Sequence, residues 1–277
     1  MGVLPHALVT SRSSSTAPKT AYFLHGILGS GGNLRTLAKR VLERCESEGE
    51  AWEIVLVDLP GHGRSEPMKA PFTLAACADA VRELAASLSK PISALVGHSF
   101  GGKVALVYAE SDPELPVCCT LDSAPGPRPD HHGSESTLRV VDALRSLPEV
   151  FETRTAFDEL LRHAGLDQNL IAWLALNVVA REGGGFRFRL DLDVIDALLN
   201  DYFARDCWSV LERETTHFSV VIGGASGVWD GEDRARAETL SKQGHLAVTV
   251  IAGASHWLHV DALEPTADAV ASSLLVR

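Results

Sequence analysis

The sequence predicts an α/β protein: a mostly parallel, twisted sheet with helices on both faces and a helical segment inserted as a cap. Three observations carry this reading. Short apolar runs alternate with amphipathic stretches of helical period, the pattern of successive strand–helix–strand units. One run, 92–96, passes directly through Gly97-His98-Ser99-Phe100-Gly101 into a helical stretch at 102–110. Between Pro125 and Trp208 the strand-like runs cease, and they resume afterwards.

Taken in order, the expected elements are an opening strand at 6–12 and a Ser-rich turn over 11–16. A buried strand at 21–24 and a helix over 34–45 follow. The next strand, 53–57, ends at Asp58, and the helix over 73–88 has apolar residues at 74, 77, 81, 84, 85 and 88. After the strand–turn–helix around Ser99 comes a strand at 117–121 ending at Asp122. Pro125-Gly-Pro-Arg-Pro129 is a rigid entry to four helical stretches, 136–147, 152–163, 167–180 and 193–203. Strands at 217–222 and 246–251, with helices at 232–242 and 264–275, close the chain. The domain reading is therefore a core of residues 1–125 and 209–277, with 126–208 as a cap over the carboxyl edge of the sheet. Open α/β sheets bind their ligands at that edge.

Composition excludes several functions. At 277 residues and 45% hydrophobic content, the chain can bury one large core, and no apolar run reaches membrane-spanning length. A net charge of −11 argues against nucleic acid and anionic membrane surfaces. The first residues lack a signal peptide's basic flank, and His6 breaks a myristoylation pattern. Five cysteines, at 45, 77, 118, 119 and 207, follow no metal spacing, as expected of a reduced, cytoplasmic protein. Neither a metal nor a cofactor is expected, and the oligomeric state is left open.

The chemistry is concentrated in the turns that follow strands. A Gly-x-Ser-x-Gly turn between strand and helix exposes a serine hydroxyl while the helix aims N–H groups at the same place. The same stretch reads Gly-x-x-x-x-Gly-Lys from 97 to 103, but a phosphate-binding loop needs Ser or Thr next and position 104 is Val. Ser99 is thus a candidate nucleophile. His256, on the loop after the last strand, is the candidate base, since imidazole exchanges protons near neutral pH. His25 and His98 are expected to brace their turns, as is His62, and His131 and His132 to be solvated.

These segments resemble a known family. His25-Gly-Ile-Leu-Gly-Ser30, Asp58-Leu-Pro-Gly-His-Gly-Arg-Ser65, Gly97-His-Ser-Phe-Gly-Gly-Lys103, Leu121-Asp122-Ser-Ala-Pro125 and Ser255-His-Trp257 look like the α/β-hydrolases, and within them the YbfF-type esterases. The resemblance implies a cofactor-free serine esterase or thioesterase acting on a small-molecule acyl ester or thioester. It also implies an oxyanion hole from the backbone N–H groups of Ile27 and Phe100. Trp173, Phe186 and Phe188 of the cap, with His25 and Trp257, are expected to border the substrate.

The acid is where the chain departs from the commoner superfamily pattern. That pattern, Gly-x-x-Asp after the strand before last, here reads Gly223-Gly-Ala-Ser226. Asp230 follows four residues later, and Asp122 ends the strand beside the elbow strand. Asp122 is preferred, because an acid at the sheet edge has the imidazole as its natural partner. A C–C bond hydrolase, a haloperoxidase or a receptor that retains the triad would carry the same motifs. The cap has nine arginines, no lysine and 14 acids, so pairing within the segment is expected for Arg187 and Arg189, with a carboxylate or phosphate on the substrate as the alternative partner.

Overall fold

The computed structural model describes residues 4–10, 17–131 and 133–276; the Ser-rich turn expected over 11–16 and His132 lie outside them. The strands are β1 (His6–Thr10), β2 (Lys19–Leu24), β3 (Trp52–Val57), β4 (Ile92–His98), β5 (Val117–Leu121), β6 (Val178–Ala180), β7 (Phe186–Phe188), β8 (His217–Gly223) and β9 (Leu246–Ile251). Seven of them form one sheet in the order β1-β3-β2-β4-β5-β8-β9, with only β1 antiparallel to its neighbour. β2 and β4 sit centrally and are buried, so their apolar runs are continuous rather than alternating.

Strand periodicity divides the core in two. Tyr22 and Leu24 of β2 point to one face and Ala21 and Phe23 to the other. On the first face lie α2 (Leu74–Leu88), α3 (Phe100–Ser111), α8 (Gly231–Lys242) and the inserted segment. α1 (Arg35–Ser47) and α10 (Leu263–Leu274) cover the second and pack on each other. Burying a side chain such as Phe23 or Leu42 stabilises the fold by about 1.5–3 kcal/mol. Helix ends follow local chemistry: the Thr73 hydroxyl caps α2 by accepting the Ala76 N–H at 3.2 Å. Among the described residues no helix is long and apolar enough to cross a membrane.

The inserted segment contains α4 (Glu135–Arg145), α5 (Arg154–His163), α6 (Gln168–Leu174) and α7 (Leu192–Ala204). It is not all helical, as the sequence suggested. The helix expected over 167–180 stops at Leu174, and β6 and β7 form an antiparallel hairpin. The turn between them contains Gly183, Gly184 and Gly185, all at positive φ, a conformation that side-chain-bearing residues avoid. Val178 and Val179 with the Phe-Arg-Phe run supply the β-favouring residues.

α3 sits unusually close to the sheet. A Cβ at Gly101 would come within 2.4 Å of the Leu24 carbonyl oxygen, a backbone atom that cannot swing away. Gly101→Ala is therefore expected to cost about 3 kcal/mol or more in denaturant unfolding. At Gly227 an added Cβ meets nothing within 4 Å, so Gly227→Ala should stay within about 0.5 kcal/mol of wild type. Equal midpoints for the two variants would contradict the packing described.

Candidate active site

β4 runs straight into Ser99, and the chain must reverse there to begin α3. Ser99 adopts φ 51°, ψ −117°, a strained conformation held by its N–H donating to the Leu121 carbonyl at 2.9 Å. Gly97 permits the turn, since a Cβ there would lie 2.2 Å from the Gly101 carbonyl oxygen. The result places the Ser99 side chain at the carboxyl edge of the sheet, at the N-terminus of α3.

Three strand ends converge on that hydroxyl. Ser99 Oγ lies 3.0 Å from His256 Nε2, and His256 Nδ1 lies 2.8 Å from Asp122 Oδ2. Asp122 is fully buried at φ 44°, just past β5, with its N–H donating to Val221 O at 2.8 Å. Its Oδ1 accepts the Gly223 N–H at 3.0 Å, and Oδ2 also accepts the Ser226 hydroxyl. With a carboxylate at Nδ1, the imidazole carries its proton there and leaves Nε2 free to accept from Ser99. Asp230 is elsewhere: it caps α8, accepting the Asp233 N–H at 2.8 Å. Ser226 was not singled out as a functional residue, yet it stands where the commoner pattern puts the acid. The departure from that pattern was the available signal.

A cluster of histidines supports the loop that carries His256. His98 Nε2–H donates to the His256 carbonyl at 2.8 Å, and the two rings are 4.8 Å apart. His259 packs against His98 at 4.6 Å, and Trp257 at 5.8 Å. Burial, reinforced by the neighbouring His259 and His256, pushes His98 well below the ordinary imidazole range. Burial likewise lowers His259 to about 4 and His62 to about 3. His25 is expected to border the substrate, but the structure corrects this. Its ring is buried, Nε2 accepts the Leu59 N–H at 3.0 Å and Nδ1 faces Gly26 O at 2.7 Å, so it braces its turn and reaches no cleft.

Beside Ser99, among the described residues, no protein acceptor takes the backbone N–H of Ile27 or of Phe100. Both residues border the cleft at Ser99 and His256, whose free volume is only about 20 Å³. The inserted segment supplies Ser134, Thr137, Leu199 and Tyr202 to its wall, none of which the sequence marked. Of the expected cap residues, Trp173 alone approaches the centre, edge-on to Trp257 at 5.0 Å. Phe188 stacks on Phe157 at 5.8 Å, and Phe186 lies under the Arg154 guanidinium at 5.3 Å, so neither borders this cleft. Both are half-buried, and Phe188 lines a separate cavity with Gly61 and Met68.

Residues 21–269 match the model of the Alpha/beta hydrolase family. The chain belongs to that family. Among its relatives is the sn-1-specific diacylglycerol lipase ABHD11 of Mus musculus, 27% identical over 256 residues, covering 91% of this chain and 80% of that one. The Danio rerio protein of the same name is 26% identical over 244 residues, covering 86% and 73%. Among solved structures, a marine microorganism esterase superposes with a TM-score of 0.81 at 21% identity, over 98% of both chains. The thioesterase domain from the curacin biosynthetic pathway gives 0.68 at 22% identity, over 99% and 96%. The α/β-hydrolase fold is thereby shared across nearly the whole chain.

The buried histidines imply a specific acid sensitivity. Their folded-state pKa values lie below the ordinary 6.5, so the unfolded chain binds protons first as pH falls. Their contribution is complete above about pH 6.5 and is lost progressively toward pH 4 and below. At pH 5 each such residue is expected to remove about 2 kcal/mol relative to pH 7. Urea unfolding at the two pH values measures this, and unchanged stability would contradict neutral burial.

Proposed function

We propose that this α/β hydrolase is a serine esterase or thioesterase that works through an acyl-serine intermediate. The observation that carries the proposal is the unbroken Ser99–His256–Asp122 hydrogen-bond chain beside two N–H groups without protein acceptors. Ser99 Oγ attacks the acyl carbonyl as His256 Nε2 takes the hydroxyl proton. The carbonyl oxygen becomes an oxyanion held by the N–H groups of Ile27 and Phe100. Collapse of that adduct expels the alcohol or thiol, which receives the proton from His256. Water then attacks the acyl-serine by the same route, and the carboxylic acid leaves with Ser99 restored.

Asp122 supports each step by holding the Nδ1 proton and stabilising the imidazolium. Because its two oxygens also accept from Gly223 and Ser226, the carboxylate stays fixed while the imidazole charges and discharges. The relatives named diacylglycerol lipases support an ester as substrate. The segment 126–208 acts here as a cap: Thr137, Leu199 and Tyr202 face the reacting atoms and set the acyl space.

Asp122→Asn should lower kcat on p-nitrophenyl butyrate by about 10⁴, through loss of the correct imidazole tautomer. Asp230→Asn should stay within a few-fold of wild type, since that residue only caps α8. Both variants are to be checked for folding by circular dichroism. Near-wild-type turnover in Asp122→Asn would remove this assignment of the acid.

A further inference from the structure

A cavity of about 280 Å³ lies on the other side of the turn that holds Ile27. Leu28 and Gly29 of that turn form one wall, and Trp173, which packs edge-on against Trp257, forms another. Three arginines from distant parts of the chain line it: Arg35 at the start of α1, Arg64 after β3, and Arg189 after the β6–β7 hairpin.

Arginines without an ion-paired carboxylate occur elsewhere among the described residues, Arg139, Arg154 and Arg181 among them, but Arg35 and Arg189 line one concave surface together with Arg64. Acids outnumber bases 36 to 25, and Arg40, Arg44, Arg82, Arg145 and Arg236 all pair with carboxylates. The pairing expected for Arg189 within the inserted segment is not found. Among the described residues, neither Arg35 nor Arg189 has a carboxylate within ion-pair distance, and the same is true of Arg187. The acid in the cavity wall is Asp58, whose oxygens already accept the Gly31 N–H at 2.8 Å and the Arg64 N–H at 2.9 Å. Arg64 reaches it only through Nε, at 3.4 Å, and its side chain remains 68% exposed. Like charges gathered around a concave surface repel unless an anion lies between them, and guanidinium groups match the oxygens of carboxylate and phosphate in bidentate fashion.

We propose that this cavity is an anion subsite, and that the ester or thioester cleaved at Ser99 has a carboxylate or phosphate at its far end. The inference rests on the hydrolase reading above. Ile27 borders the cleft at Ser99 and the adjacent Leu28 borders this cavity, so the charged end of an ester bound at Ser99 would reach Arg189 of the cap past that turn. The anion belongs either to the acyl chain or to the leaving group, and the two sources are separable by substrate choice.

The test uses two matched substrate pairs on the full chain, comparing wild type with Arg189→Met. The acyl pair is p-nitrophenyl valerate against the p-nitrophenyl monoester of glutaric acid, which has the same five carbons with a terminal carboxylate in place of the methyl. The leaving-group pair is the butyryl ester of glycerol against that of glycerol 3-phosphate. In one pair the wild-type protein should favour the anionic member by about tenfold or more in kcat/KM, and Arg189→Met should bring the ratio close to one. The responding pair names the source of the anion. Inorganic phosphate titrated against tryptophan fluorescence gives a readout free of turnover, because Trp173 lines the cavity: a saturable response in wild type should be lost in the variant. Ratios that are the same in both proteins for both pairs, or a phosphate response unaffected by the substitution, would overturn the subsite. If no ester is cleaved while the phosphate response is present and lost in Arg189→Met, the subsite stands and the hydrolase reading falls.

Discussion

The Asp122 carboxylate has no exposure to solvent, and that single fact organises the carboxyl edge of the sheet. A buried charge is tolerated only when donors surround it, because removing one leaves an uncompensated anion that costs roughly 3–5 kcal/mol. Here the donors come from the turn after β8, through Gly223 and Ser226, and from the loop after β9, through His256. Its own backbone is tied to Val221 of β8, while the neighbouring Leu121 carbonyl holds the Ser99 N–H. Satisfying one carboxylate therefore fixes the relative positions of β5, β8, the elbow and the histidine loop. The geometry on which the proposed chemistry depends follows from a requirement of burial.

Much of this was legible in the sequence, and the reasons are physical. The five inner strands of the main sheet, β2, β3, β4, β5 and β8, are buried runs bounded by turn residues, and their order along the chain leaves few ways to pair them. The preference for Asp122 over Asp230 came from position alone: one ends an apolar strand, whereas the other lies among acids where helix capping is the ordinary role. The hairpin in the inserted segment was not legible, because Ile171, Leu174 and Val178 continue a helical spacing up to the residues where Val179 and the three glycines break it. The pairing of Arg189 failed as an expectation because abundant acids nearby in sequence do not guarantee one nearby in space. Thr137, Leu199 and Tyr202 left no local signal, since what brings them to the cleft is the packing of the inserted segment against the sheet.

That packing has a buried cation at its base. Lys103 of α3 is inaccessible to solvent, and its Nζ donates to the carbonyls of Gly126 and Tyr202, each at 2.8 Å. These residues lie where the segment leaves the core and where it returns, and the Arg128 N–H bonds Phe203 O across the same junction at 2.7 Å. Burial lowers the Lys103 ammonium to about 8, so it remains mainly charged near neutral pH, held by carbonyl dipoles and the Tyr202 ring. The junction is thus tightly bonded, and it anchors Tyr202 and the neighbouring Leu199 in the wall of the cleft at Ser99.

The central claim is that Ser99 is the nucleophile of a covalent mechanism, and a fluorophosphonate tests it most directly. Such a reagent phosphonylates a serine only where a base takes the proton and oxyanion donors receive the P–O⁻ oxygen. The account predicts one equivalent of adduct on the intact protein, located at Ser99 by peptide mass spectrometry, with ester turnover lost in proportion to labelling. Undiminished turnover after complete labelling, or an adduct on a different residue, would contradict it.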